Sequence, residues 1–510
     1  MLNILVILFP HQLFENKYLD IIYEKDTKKY IILWEHPYFF TKFLYHKMKL
    51  VLHRATMKNY FDDLTIKKLY INHNDNYKKY ITDFITNNNI HEIRFFNPVE
   101  NELIDLINTN KLFNTKLKCS IHKSPYFLGS NTDDNTTKFL RHDAFYKNQR
   151  IKYNIMVSQH HKTKTIVPEG NKWSFDKENR LPFTKEQKEI KLSTNTSSDR
   201  EKYIDSAIKY VSKYFNHHYG DCDKDDFIYP INHTESIKWL KHFIKYKLDN
   251  FGKYEDALSS TIKFGYHSLL SPLSNIGLIT TYDILHYVSK YNNNIASKEG
   301  FIRQVIGWRE YSYHMYYNYY DKLVISSIYN KNHKIICNKI WTGETQIPII
   351  DDIIKKVNKY AYSHHIERLM CMGNFFLLVG ISPQEIYKWF QTMYIDAYDV
   401  FMVSNVFGML CYAKITDTNH MMTKPYLCSS NYLKKMSNYK SSNITINNNV
   451  YKWDMIIDAL YYNHINNYVE IFSKNYSTAI AAKRWKTFTN TKKKEILELS
   501  KMYIKWLFTD

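Results

Sequence analysis

Between Tyr360 and Gly408 the chain sets down three side chains that could surround one ligand. Arg368 lies in Ala361-Tyr362-Ser363-His364-His365-Ile366-Glu367-Arg368-Leu369, Asp396 in Asp396-Ala397-Tyr398, and Asn405 in Asn405-Val406-Phe407-Gly408. All fall on helical stretches rich in Trp and Tyr. A guanidinium, a carboxylate and an amide are what a planar redox ring buried in protein needs around its edges, so the segment reads as a flavin pocket. Arg368 and Asp396 can form a buried ion pair, which is costly unless a site uses it. His364 and His365 are adjacent on one predicted helix and point about 100° apart, so only one need face a pocket. Neither has metal-ligand spacing.

Two further stretches carry chemistry. His267-Ser268-Leu269-Leu270-Ser271-Pro272 ends one helical segment and begins another. Backbone amides and hydroxyls at such a start can hold a diphosphate, although an ordinary serine cap has the same appearance. Gly307-Trp308-Arg309-Glu310-Tyr311 lies in a predicted helix, Phe301 to Tyr320, that also carries Tyr313, Tyr316, Tyr317, Tyr319 and Tyr320. Aromatics beside a cation can stack on a base or a flavin, and equally can pack a core.

The elements that must position these residues divide the chain into an α/β part and an all-α part. From Met1 to about Tyr126, short apolar runs (Ile4 to Phe9, Tyr30 to Trp34, Lys68 to Ile71, Glu92 to Phe96) alternate with helical stretches. That pattern predicts a doubly wound parallel sheet over residues 1–128. Pro10-His11-Gln12-Leu13 follows the first strand, where such sheets bind ligands, but the glycine-rich dinucleotide fingerprint is absent, and a purely structural domain is equally open. Residues 129–202, polar and irregular with clusters at Ser130 to Thr137 and Ser193 to Arg200, read as a long interdomain linker. Residues 203–510 read as a helical domain in which Lys434 to Asn449 is an exposed loop.

Composition bounds the partners. The 510 residues carry 44% hydrophobic side chains, enough for sizeable cores, and only 12 Gly against 45 Tyr, a skew matching AT-rich codons. The net charge of +20 suits a polyanion such as nucleic acid, and equally a diffuse positive surface. Six scattered cysteines without CxxC or zinc spacing predict an intracellular, reduced protein. Leu2 to Phe9 lacks the basic start and cleavage site of a signal peptide. Leu369 to Ile381, interrupted by Asn374, falls short of the ~20 residues a membrane helix needs, so no membrane association is expected.

Taken together the segments resemble the cryptochrome/photolyase superfamily, most closely its prokaryotic (6-4) photolyases, the iron-sulfur bacterial cryptochromes and photolyases. The resemblance covers Leu2 to Phe14, Gly170 to Pro182, His267 to Ile279, Glu299 to Tyr311 and Trp341 to Tyr432, and is most specific in Glu299 to Tyr311 and Ala361 to Leu369. It implies an N-terminal antenna-type domain and a helical domain holding FAD folded into a U. Ser268, Leu270 and Ser271 would touch the diphosphate, with His267, Tyr254 and Tyr398 among the other cofactor contacts, while Arg368, Asp396 and Asn405 surround the ring. The implied activity is light-driven repair of a pyrimidine lesion flipped out of ultraviolet-damaged DNA. His365 matches the proton donor of (6-4) enzymes, and Leu369 stands where eukaryotic members have a second histidine. Gln304 stands where cyclobutane-dimer enzymes carry Glu, and Met409 and Tyr426 match lesion-pocket positions. Trp341, Trp389 and Tyr398 match electron carriers, with Phe390 where a relay tyrosine is usual.

The departures carry expectations too. The branch holds a [4Fe-4S] cluster through four cysteines, and the matching positions here are Ile349, Lys440, Asn443 and Met455, so no cluster and no other metal is expected. At the antenna site His11 and Phe39 replace acidic residues. Gln12, Glu35, His46 and Lys47 lie near enough in sequence to form a site for a second chromophore of unassigned identity. No obligate protein partner is implied, and a monomer is expected. A cyclobutane-dimer photolyase and a non-repairing blue-light photoreceptor stay open as alternatives.

Overall fold

The computed structural model describes residues 1–113, 115–129, 139–160, 162–192 and 198–509. Five parallel strands form the N-terminal sheet: β1 (Leu2–Leu8), β2 (Thr27–Trp34), β3 (Lys67–Ile71), β4 (Glu92–Phe96) and β5 (Lys118–His122), in the order β3-β2-β1-β4-β5. The unbroken apolar run of β1 puts it at the centre, since a strand covered on both faces has no polar side to alternate. Val6 pairs with Ile31 on one side and Arg94 on the other. The order reverses between β1 and β4, and the crevice such a reversal creates lies beyond the carboxyl ends of those strands.

The stretch read as a linker carries regular structure. Helix His142–Lys152 is followed by an antiparallel pair, Val157–Gln159 with Ile166–Pro168. Arg150 is buried there because it donates to the carbonyls of Ile155, Met156 and Trp173. The polar cluster Ser130 to Thr137 lies outside the described residues, as does most of Ser193 to Arg200. Helix Ser198–Tyr214 begins before residue 203 and packs along helix Lys47–Asp63 of the N-terminal domain.

The rest is helical, and the two parts are tied at several points. His46 Nε2 donates to Asn358 O at 2.9 Å, and Gly220, at φ +72°, passes so close to that imidazole that a Cβ would sit 1.9 Å from Nε2. Leu13 N donates to Ile276 O at 3.0 Å, and Lys49 Nζ to Ala397 O at 2.5 Å. The expected loop at Lys434 to Asn449 is instead the end of helix Ser430–Met436 and the start of a hairpin, Asn443–Ile446 paired with Asn449–Lys452. Ile444 and Ile446 alternate into the core, and Asn447 and Asn448 both adopt left-handed φ, the chemistry of a two-residue hairpin turn. Among the described residues no helix is long and apolar enough to cross a membrane.

Among the described residues three helices contain wide π-type turns, at Arg303–Arg309, Glu367–Gly373 and Val403–Leu410. Such turns recur at functional sites because they re-aim side chains.

Candidate functional site

The three π segments converge on a cavity of about 1380 Å³, counting its open mouth. Gln304 and Arg309 reach it from the first segment, Arg368 and Leu369 from the second, and Asn405 and Leu410 from the third. The loop His267 to Asn275 closes a fourth side. Its path depends on Leu269, which takes φ +52°, an uncommon conformation for a residue with a Cβ.

Arg368 is fixed from every side. Its Nη1 and Nη2 donate to Asp396 Oδ1 and Oδ2 at 2.9 and 3.1 Å, its Nε donates to Ser363 O at 2.7 Å, and its Cζ lies 3.9 Å from the Tyr394 ring centroid. Burial opposes the guanidinium charge, but Asp396 and the neighbouring tyrosines more than offset it, so the side chain stays a cation. Asp396 is held in turn by Ser271 Oγ at 2.5 Å, while Asn275 Nδ2 donates to Asp396 O at 2.8 Å. Asn405 donates through Nδ2 to Phe401 O at 2.8 Å, which leaves its amide oxygen for a ligand.

The two adjacent histidines separate as their helical phase requires. His365 lies deep in the molecule yet is accessible, because it faces the open cavity. Desolvation deep in the cavity and the Arg368 charge lower its pKa from 6.5 to about 4. His364 is buried, stacked on His267 with ring centroids 4.2 Å apart, and lies 3.6 Å from a Glu367 carboxylate that Lys356 also engages.

Two charged residues of the wall escaped the reading of the sequence as site residues. Arg309 is a second guanidinium, with its Cζ 4.6 Å from the Phe401 ring centroid and its Nη groups donating to Asn275 Oδ1 and Ser274 O. Burial lowers its hold on its proton. Glu255 accepts from Gln304 Nε2 at 2.6 Å, and burial pushes its carboxyl up to about 8. Arg309 stands in the Gly307-Trp308-Arg309-Glu310-Tyr311 stretch, whereas Glu255 has no local signal at all.

Known proteins resemble parts of the sequence and the whole fold. The family described as "Deoxyribodipyrimidine photo-lyase-related protein" matches residues 6–227. A (6-4) photolyase of Agrobacterium fabrum is 32% identical over 306 residues, covering 59% of this chain and 57% of that protein. The chain is thus aligned to little more than half the length of that curated relative. A bacterial class III photolyase from Agrobacterium tumefaciens superposes with a TM-score of 0.57 at 14% identity, covering 99% of this chain and 98% of the other. A cryptochrome from Synechocystis does so with a TM-score of 0.58 at 13% identity, covering 99% of both chains. The chain has the fold of these photolyase and cryptochrome structures.

Of the residues the superfamily resemblance singled out, His267, Ser268, Leu270, Ser271, Gln304, His365, Arg368, Asp396 and Asn405 share the cavity wall. The others, Tyr254, Met409, Tyr426, Tyr398, Trp341 and Trp389, stand outside that wall. Tyr254 is buried against Tyr266 and Phe183, with ring centroids 5.4 and 5.5 Å away. Met409 is buried within the third π segment, and Tyr426 is half-buried beside Asp176, Arg180 and Asp256. Tyr398 points towards the N-terminal domain, with its hydroxyl 3.3 Å from His53 Nε2. Trp341 and Trp389 lie 6.3 Å apart between centroids, and Trp389 is 5.7 Å from Phe390, which lines the cavity. Tyr394 lies 5.6 Å from Trp389 and under Arg368, so it and not Tyr398 continues this row of rings.

The antenna candidates have protein partners of their own. His11 Nε2 donates to Pro98 O at 2.8 Å, and Gln12 Nε2 to Phe96 O at 3.0 Å. Glu35 accepts from Arg54, Tyr70, Tyr210 and the His73 backbone. His46 bridges to Asn358, and Lys47 is half-buried with its backbone N–H on Tyr219 O. The crevice past β1 is packed with rings: His11 lies 4.5 Å from Phe39 and 5.9 Å from both Tyr126 and Tyr398.

Proposed function

We propose that this chain binds FAD in the cavity and uses light to reverse ultraviolet pyrimidine lesions in DNA, with (6-4) photoproducts as its substrate. The observation that carries the reading is the sharing of one wall by two sets of groups. Arg368, Asp396, Asn405 and the 267–275 loop suit the cofactor, and His365, Gln304 and Glu255 suit an extruded base. The residues fit FAD chemically: a clamped cation for an electron-rich ring, a carboxylate and an amide oxygen for its N–H edge, and His267 Nε2, buried without a hydrogen-bond partner.

Reduced FAD supplies, on absorbing light, the electron that splits the lesion. The chain's own part is to hold and to protonate. Arg368 favours negative charge at the ring edge, and Asp396 keeps that guanidinium in place. Gln304, tied to Glu255, presents the rest of its amide to a pyrimidine edge. His365, facing the open cavity, is the residue placed to hand a proton to the lesion. Basic surface residues contribute salt-sensitive affinity for the DNA backbone. The row Trp341, Trp389 and then Phe390 or Tyr394 offers electrons a route from the half-buried Trp341, which stacks on Tyr219 at 4.0 Å. Ile349, Lys440, Asn443 and Met455 provide no thiolate, so the residues do not fit an iron-sulfur cluster.

Blue light on the reduced protein with separate (6-4) and cyclobutane-dimer oligonucleotides, followed by chromatography, tests the reading. Restoration of the (6-4) substrate alone supports it. Restoration of the dimer alone assigns cyclobutane repair, and flavin photochemistry with neither product restored assigns a photoreceptor.

A further inference from the structure

Besides His365, the cavity wall can supply a second acid. Glu255 has the setting of one. Its carboxyl lies on the wall with Oε1 accepting from Gln304 Nε2 at 2.6 Å, leaving Oε2 without that partner. Carboxylates outnumber cations around it. Asp256 from its own loop, Asp176 from the turn Asp176–Glu178 and Glu299 from helix Ile295–Ile302 face it against Arg303 alone, with Arg180 and Lys424 further out beside Asp256.

Arg303 is divided among the three nearest acids, 3.2 Å from Asp176, 3.3 Å from Glu299 and only 3.7 Å from Glu255 Oε2. Crowded carboxyls cannot all ionise, and the one with the most distant cation keeps a proton. Burial acts in the same direction, raising Glu255 to about 8 while it lowers His365 to about 4.

We propose that Glu255 is a second acid of this cavity, carrying a proton on Oε2 that it gives to a heteroatom of the bound lesion while Gln304, braced by Oε1, keeps that base in register. The inference rests on the light-driven repair reading above. In the step, the Oε2–H bond breaks and an O–H or N–H bond forms on the electron-bearing lesion. The electron pair stays on the carboxylate, opposite Arg303 Nη2, a buried donor with no hydrogen-bond partner. The proton returns to Glu255 as the two bases separate, so none is consumed and no co-reactant is needed.

The variant Glu255→Gln keeps the length of the side chain and the oxygen that Gln304 needs, but has no acidic proton. Single-turnover repair is expected to fall by about 10²- to 10⁴-fold, with FAD content unchanged. The wild-type rate is expected to decline as pH rises through about 8, a limb that Glu255→Asp moves and Glu255→Gln removes. Infrared spectra of wild type minus Glu255→Gln, in H₂O and D₂O, test the proton without any repair assay. A protonated-carboxyl band at pH 7 that fades near pH 8 supports the proposal. Absence of that band, or repair by Glu255→Gln within about twofold of wild type, overturns it. Wild-type protein that shows the band but repairs neither lesion would overturn the repair reading instead.

Discussion

Asp396→Asn keeps the shape of a side chain while removing the charge that Arg368 faces. The pair is two-pronged, at 2.9 and 3.1 Å, and its side chains are 14% and 6% exposed. At ~4 Å and an effective dielectric of ~20, the lost attraction is about 4 kcal/mol. Leaving one partner of a buried pair costs about 3–5 kcal/mol, and the open cavity beside Arg368 favours the lower end. For a helical unit of roughly 300 residues, about 3 kcal/mol corresponds to a melting point lower by roughly 5 °C. Arg368→Met should cost a similar amount, whereas the double variant should recover part of the loss, because no uncompensated charge is left. Thermal unfolding of the flavin-free protein, followed by circular dichroism for all four combinations, measures the coupling. A single variant melting within about 2 °C of wild type, or a double variant whose loss is the plain sum, would refute the reasoning.

Glu310 is buried, accepts from Leu128 N at 3.1 Å, and is pushed by burial from 4.5 up to about 7. Its raised value supports the fold fully below pH 4.5 and loses that contribution as pH climbs through 7. Glu310→Gln should therefore gain on wild type by roughly 3 kcal/mol between pH 4 and pH 8, read from denaturant midpoints at each pH. Trp389→Phe should slow light-driven reduction of bound flavin while leaving repair by chemically reduced protein intact. Tyr398→Phe should slow neither, and flash spectroscopy that gave the two variants equal defects would put Tyr398 back on the path. Gly220→Ala, with a Cβ directed at His46 and a left-handed backbone, should lower the melting point by several degrees; an unchanged value would mean that the two domains are not tied there.

What the sequence made legible was whatever local chemistry marks. The apolar run of β1 announces a strand covered on both faces, and Ser268, Ser271, Arg368 and Asp396 sit in stretches whose residue types already suggest a bound cofactor. Glu255 is different: its meaning comes from Asp176, Glu299 and Arg303, up to 79 positions away, and no periodicity records such a meeting. Tyr254 and Tyr398 err in the opposite direction. Each is the expected residue type at the expected position, but the backbone directs the first against Tyr266 and the second against His53. The hairpin after Ser442 was obscured by composition, because two asparagines in a Lys- and Asn-rich stretch look like loop until Ile444 and Ile446 are seen to alternate.

Wide helical turns leave a mark that outlasts any one function. A π turn arises when a helix accommodates one residue more than its ordinary hydrogen bonding requires, and that residue rotates everything downstream by about 100°. Gln304, Arg368 and Asn405 therefore owe their common direction to inserted backbone as much as to side-chain identity. Single deletions that restored regular winding would give straighter, firmer rods whose polar groups no longer met. Protein engineers seeking heat tolerance in this scaffold should expect the easiest gains at these three turns, and should expect a colourless product there.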